Sequence, residues 1–301
     1  RVLYSEGCHL YRDRTSNLAM EHDRDSEVRA VCEASDVVIA VVGLDATLEG
    51  EEGDTGNEYG SGDKPNLNLP GLQPDIIRIA KESGKPVIVV LLAGSAMDLS
   101  WEDKHVDAIL DGFYPGAQGG AAIAEILFGG ANPEGKLPIT FYQTTEELPE
   151  FTDYAMKGRT YRYMENEALY PFGYGLSYTT YAYGSLECVK PFDAQDGITF
   201  QVTVTNTGDR EGTETLQVYV KAEREGTPNP QLKYVKKITL KPGESVTEEI
   251  HLSPEAFMLY DEKGNFTLEK GAYDIFVGGC QPDARSAALT GNAPQKLTVT
   301  Y

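Results

Sequence analysis

Residues 48–63 read LEGEEGDTGNEYGSGD, an acidic and glycine-rich run. Glu49, Glu51 and Glu52 fall within four residues, and six carboxylates lie between positions 49 and 63. Five glycines separate them, and no base appears before Lys64. Three chemistries compete for such a cluster. A calcium loop of the EF-hand type needs D-x-[DN]-x-[DN]-G with a glutamate six residues on, and no register supplies it. A phosphate cradle needs G-K-[ST], but GSGDK places Asp63 before its lysine, and the carboxylates would repel a phosphate. General acid catalysis fits, because neighbouring negative charges raise a carboxyl pKa toward neutrality, where it can both give and take a proton. On spacing alone, a solvated acidic turn accounts for the segment just as simply.

The elements on either side bear on that choice. SEVRAVCEAS carries helical spacing in Val28, Val31 and Cys32. The unbroken apolar run VVIAVVGL (37–44) predicts a strand buried on both faces. PGLQPDIIRIAKES predicts a helix ended by Gly84, and PVIVVLLAG (86–94) a second doubly buried strand. VDAILDGFY (106–114) holds a short third strand, and GAQGGAAIAEILFGG a small-residue helix stopped by Gly129 and Gly130. Strands alternating with helices imply a parallel sheet. Ligands of such sheets bind beyond the carboxyl ends of the strands. The acidic segment leaves that end of the first strand, which makes it a candidate site by position.

Beyond residue 195 the period changes to two. Phe200, Val202 and Val204 alternate with Gln201, Thr203 and Thr205; Leu216, Val218 and Val220 alternate with Gln217 and Tyr219. Further short strands follow in YVKKITLKPGE, VTEEIHL, NFTLEKGAYDIFVGG and QKLTVTY. This spacing predicts an antiparallel β-sandwich of fibronectin or immunoglobulin type. The expected domains are 1–177, an α/β sandwich with a mostly parallel sheet, and 195–301, the all-β sandwich. An aromatic, irregular connection spans 141–194.

Composition bounds the partners. Acids outnumber bases 47 to 26, for a formal charge of −21, which argues against nucleic acid and anionic membranes. No apolar run approaches the ~20 residues of a membrane span. The first residues, RVLYSEGCHLYRDR, lack the apolar segment of a signal peptide and read as the continuation of a longer chain. Cys8, Cys32, Cys188 and Cys280 show no C-x-x-C pair and are expected as buried free thiols, which leaves the compartment open. His9, His22, His105 and His251 share no ligand spacing, so no metal site is expected. In the connection, Arg159, Tyr161, Arg162 and Tyr163 suit either sugar contact or domain packing, since aromatics face sugar rings and arginine donates to hydroxyls. Tyr174, Tyr178 and Trp101 read as packing residues.

Four ordered stretches resemble glycoside hydrolase family 3, in particular its β-xylosidase-like and β-glucosidase-like members. VVGLDATLEGEEGD followed by LNLPGLQPDII is similar to the family's acid/base loop. FYPGAQGGAAIAEILFGGANPEGKLPITFY is similar to the end of its α/β-sandwich domain, and MKGRTYRYMENEALYPFGYGLSYTTYAY to its aromatic connection. VTVTNTGDREGTETLQVYV with KITLKPGES resembles its fibronectin-type C-terminal domain. The resemblance implies a retaining, exo-acting β-glycosidase, in which one carboxylate attacks the sugar and a second, about 5–5.5 Å away, protonates the leaving oxygen. It implies a carbohydrate substrate and no cofactor. The family's nucleophile is an aspartate on a preceding (β/α)8 barrel, and no such barrel fits within this chain. The chain is therefore expected to carry the acid/base and to act with an N-terminal barrel of the same protein. Matching a glutamate three residues before an aspartate selects Glu51, with Asp54 beside the substrate; Glu49 is the alternate and Glu52 a third register. The rival reading is a non-catalytic carbohydrate-binding or scaffold protein. Neither the particular sugar nor the oligomeric state follows from the sequence.

Overall fold

The computed structural model describes residues 1–14, 16–49 and 63–301. By contacts, the chain forms two compact units, 1–124 with 141–148, and 125–140 with 149–301. In chain order the elements of the first half are α1 (Asp25–Glu33), β1 (Val38–Gly43), α2 (Gln73–Glu82), β2 (Val87–Leu92), α3 (Glu102–His105), β3 (Ala108–Asp111) and α4 (Gly119–Leu127). A short helix α5 (Thr160–Tyr163) precedes the strands of the second half: β4 (Tyr181–Tyr183), β5 (Glu187–Asp193), β6 (Gly197–Asn206), β7 (Gly212–Ala222), β8 (Gln231–Leu240) and β9 (Ser245–Leu252). β10 (Leu259–Tyr260), β11 (Phe266–Thr267), β12 (Ala272–Gly278), helix α6 (Ala284–Thr290) and β13 (Gln295–Thr300) complete it.

The first unit is built on a three-stranded sheet, order β1-β2-β3, parallel throughout. Val28 and Cys32 of α1, Ile79 and Ala80 of α2, and Val87 of β2 make one buried cluster, with Val38 packed against it. Because strand side chains alternate, Ala40 and Val42 share the face of Val38 and are buried. β2, the central strand, is buried on both faces, as Val89, Val90 and Leu91 are fully enclosed. β1 corrects the expectation of double burial: Ile39 is 43% and Val41 62% exposed. It is an edge strand of the described sheet, and α1 and α2 cover only the Val38 face.

The second unit is an antiparallel sandwich. One sheet runs β13-β12-β7-β8; the other runs β4-β6-β5, with β9 also paired to β6. Phe200, Val202, Val204, Leu216, Val218, Ile250, Ile275 and Val277 fill the space between them. The alternation predicted for β6 holds, but β7 departs from it. Gln217 and Tyr219, read from the sequence as its outward face, are 2% and 0% exposed. The aromatic connection covers them: the Gln217 side-chain amide donates to the Gly173 carbonyl at 2.9 Å, and Tyr161 meets Tyr219 edge-on at 6.4 Å. Part of the stretch read as irregular is also strand. β4 and β5 fall within it, and β5 escaped notice because it is an exposed edge strand with register shifts and a proline. Cys188 on β5 is exposed, against the expectation of burial; Cys32 and Cys280 are buried and Cys8 is partly covered, all as free thiols.

Candidate functional site at the carboxyl ends of the parallel strands

The chain leaves β1 through Gly43, whose φ is +137°. A Cβ there would stand 2.0 Å from the Leu92 carbonyl oxygen, so only glycine lets β1 and β2 close at this point. Gln73, at the start of α2, locks the junction. Its side chain accepts from the Gly43 N–H at 2.6 Å and donates to the Gly43 carbonyl at 2.8 Å and the Leu10 carbonyl at 2.6 Å.

A tight turn follows. The Asp45 carboxylate accepts from the Thr47 N–H at 2.9 Å, the Thr47 hydroxyl at 2.6 Å and the Leu48 N–H at 3.2 Å. This turn buries Leu48 and aims Glu49 across the sheet end. The Glu49 carboxylate accepts from the Gly94 N–H at 2.9 Å and from the hydroxyls of Ser95 and Tyr114. Its three donors come from the segments that follow β2 and β3, so one side chain ties together the outlets of all three strands. Gly94 is needed where it stands, since a Cβ would lie 2.7 Å from the Tyr114 ring and 2.9 Å from the Glu49 carboxylate.

The electrostatics follow from these bonds. Burial pushes the Glu49 carboxyl up, but the bonds from Ser95, Tyr114 and Gly94, with the charge of Lys64, outweigh it and hold the pKa below the ordinary value. Burial and the Glu49 carboxylate push the Tyr114 phenol well up, so it stays a donor. The turn presenting Tyr114 carries its own charge. Asp111, the last residue of β3, accepts from the Phe113 N–H at 3.0 Å, and Phe113 sits at φ +49°. Burial pushes the Asp111 carboxyl up to about 6, and its second oxygen is buried with no hydrogen-bond partner among the described residues.

Beside Glu49 lies a cavity of about 330 Å³, which Lys64, Asn66, Leu67, Tyr142 and Leu148 help to line. It falls within the ~300–1,000 Å³ range of small-ligand pockets. It also sits at the sheet end where parallel folds bind ligands.

Of the residues singled out from the sequence, Glu49 is at this site. Glu51, Glu52 and Asp54 lie outside the described residues. Arg159, Tyr161 and Tyr163 belong to the second unit. The Arg159 guanidinium donates to the backbone carbonyls of Glu150, Asp153 and Ala155. Tyr161 stacks on Phe172 at 4.2 Å, and its hydroxyl accepts from the Leu232 N–H. Tyr163 accepts a bond from the Gly158 N–H at its carbonyl. Tyr174 stacks on Tyr170, and the Tyr178 hydroxyl donates to the Ile126 carbonyl. Trp101 sits just before α3, stacked on His105 at 4.2 Å with the Arg78 guanidinium over its ring. Sequence reasoning missed Gly94, Ser95, Tyr114 and Lys64. Their types are ordinary, and only the closure of the sheet brings them to Glu49.

A chain of this kind, a parallel α/β unit with Glu49 at its strand outlets followed in sequence by a fibronectin-type sandwich, matches known families along most of its length. Residues 9–178 match the glycosyl hydrolase family 3 C-terminal domain, and residues 214–281 the fibronectin type III-like domain. The chain belongs to glycoside hydrolase family 3. It is 40% identical to a xylan 1,4-beta-xylosidase of Xylanibacter ruminicola over 84% of its own length and 30% of that protein's. It is 35% identical to a periplasmic beta-glucosidase of Salmonella typhimurium over 92% of its own length and 39% of the relative's. Among solved structures, a β-glucosidase from Erythrobacter marinus superposes with a TM-score of 0.76 at 31% identity, covering 95% of this chain and 38% of that one. The chain thus spans well under half the length of these relatives.

Proposed function

We propose that the chain serves as the C-terminal portion of a retaining, exo-acting β-glycosidase acting on β-xylosides or β-glucosides. In this reading Glu51 is the general acid/base, protonating the glycosidic oxygen and later deprotonating water, and Asp54 contacts the sugar beside it. The aspartate nucleophile is supplied by a barrel outside these 301 residues. The observation that carries the reading is the way Glu49 roots the carboxylate-rich segment on the outlets of β2 and β3. Held ionised by three donors with both oxygens engaged, Glu49 is poorly suited to deliver a proton at neutral pH. We therefore assign it to holding the segment, which leaves the acid role to its neighbour. Arg159 and Tyr161, whose bonds are spent inside the connection and on the sandwich, are assigned to bracing rather than to the sugar. Domain limits of 1–177 and 195–301 are proposed on the same footing; the two family matches end at 178 and begin at 214.

The test uses the longer protein that carries this chain. Glu51→Ala is expected to lower hydrolysis of a poorly activated xyloside by ~10²–10⁴-fold, with added azide restoring turnover and leaving a β-glycosyl azide. Glu49→Ala is expected to lower activity without azide rescue. Rescue of Glu49→Ala instead of Glu51→Ala would show that the acid is Glu49.

A further inference from the structure

A second cavity, of about 450 Å³, lies wholly within the second unit and shares no residue with the one beside Glu49. Its walls are the turn after α4, the stretch 132–134, the entry to β7 and the end of β8. Asn132 ties these walls together. Its side-chain amide donates to the Glu211 carbonyl at 3.1 Å, and its Oδ1 accepts from the Tyr178 N–H at 2.8 Å and the Ser177 hydroxyl at 2.9 Å. Gly212 lets them approach, because a Cβ there would stand 2.6 Å from the Asn132 amide nitrogen. Two charged groups of opposite sign line the space. Arg210 is exposed; its guanidinium lies over the Tyr178 ring at 5.5 Å and donates to the Gly129 carbonyl at a long 3.4 Å. Glu134 accepts from Lys237 at 2.7 Å, and that ammonium together with the Thr213 hydroxyl holds its carboxyl below the ordinary value. Thr213 and Thr239 add a cross-strand pair of hydroxyls at 3.0 Å. Phe128, next in sequence to Gly129, is 84% exposed.

We propose that this cavity is a second carbohydrate-binding site, which holds a neutral oligosaccharide by its adjacent hydroxyls. A fixed carboxylate accepts from one hydroxyl of a diol, and a guanidinium fork donates to its neighbour. An exposed aromatic ring takes the C–H face of a sugar. Charge disfavours other ligands, since a small anion meets Glu134 and Glu211 and a small cation meets Arg210 and Lys237. Hydroxyls and charged groups in the lining select a polyhydroxylated ring over an apolar one. The sugar class rests on the glycosidase reading, and the site holds the glycan without any part in bond cleavage.

Titration calorimetry on the 301-residue chain with xylohexaose and with cellohexaose tests this. Binding of at least one of them at about millimolar Kd is expected. Arg210→Ala and Phe128→Ala, both at exposed positions, are each expected to weaken it about tenfold, the size of one lost bond to a charged group or one lost ring contact. Arg210→Lys keeps the charge but loses the fork, and its affinity is expected to fall between those of wild type and Arg210→Ala. Thermal melting of each variant separates loss of binding from loss of fold; should one alanine variant fail to fold, the other carries the test. The proposal is overturned if neither oligosaccharide binds, or if the folded alanine variants bind as wild type does. Either result leaves azide rescue of Glu51→Ala in the longer protein as a separate reading of the glycosidase assignment.

Discussion

Two carboxyl groups at the strand outlets have opposite electrostatic settings, and their pH responses differ in sign. Asp111 is pushed up to about 6 by burial, above the ~3.9 of an unfolded aspartate. Between those values the folded chain holds a proton that the unfolded chain has released, so stability falls as pH rises from about 4 to about 6. Asp111→Asn removes that slope and is expected to raise stability at neutral pH by about 1–2 kcal/mol, after discount for partial exposure. Urea denaturation at pH 4.5 and 7 reads both effects, and an unchanged slope would show that the carboxyl is solvated. Glu49 lies on the other side of its ordinary value, held down by its three donors. Its stabilisation is present above the unfolded glutamate pKa of ~4.3 and is lost as pH falls through the lower folded value. Glu49→Gln is expected to be less stable than wild type by about 1 kcal/mol at pH 7, with the gap narrowing below about pH 4. A gap that widens in acid would contradict the assignment of Glu49 as an ionised anchor.

At the scale of elements, the site depends on the junction between β1, β2 and α2. Gln73 is 3% exposed and satisfies both backbone groups of Gly43. Gln73→Ala would leave a buried N–H and a buried C=O without partners, each worth about 1–3 kcal/mol. A loss of about 2–4 kcal/mol in unfolding free energy is expected, with the denaturant slope unchanged. Loss of less than 1 kcal/mol would mean that water replaces the amide and that the junction is not its work. How much of this was legible differs by element. β2 and α2 could be read directly: the apolar run of β2 is a strand buried on both faces, and the 3.6-residue period of α2 is a helix. β1 had the same apolar signature as β2, yet one of its faces is exposed, since a run of valines reports side-chain type and not the number of layers above it. β7 failed the other way: Gln217 and Tyr219 alternate as outward residues should, but a connection distant in sequence lies over them.

At the scale of the whole molecule, the chain corresponds to 30–39% of relatives named for xyloside or glucoside hydrolysis. Retaining hydrolysis needs two carboxylates about 5–5.5 Å apart. On the proposed division, with the acid on this chain and the nucleophile on a barrel outside it, the purified 301-residue chain is expected to release no nitrophenol from nitrophenyl β-xyloside or β-glucoside. Robust turnover by the chain alone would sink the division of the two carboxylates between separate parts of the protein. The sandwich carries a different load. Several of its buried polar groups are spent on structure: the Asn206 amide donates to the Arg210 and Leu240 carbonyls, and Tyr183 donates to Glu214 at 2.9 Å. The Arg285 guanidinium meets the Leu169 carbonyl of the connection. The bonds of Tyr183 and Arg285 fasten the connection to the sandwich.

The sequence by itself determined the family and the order of a parallel α/β unit and a β-sandwich. Those features are local: periodicity, glycine stops and contiguous motifs survive in one dimension. Only the tertiary structure decided what Glu49 does. Its partners Gly94, Ser95 and Tyr114 lie 45 to 65 residues away, and nothing in their types announces them. A carboxylate becomes an anchor or an acid according to the donors around it, and those donors meet only when β1, β2 and β3 align their ends.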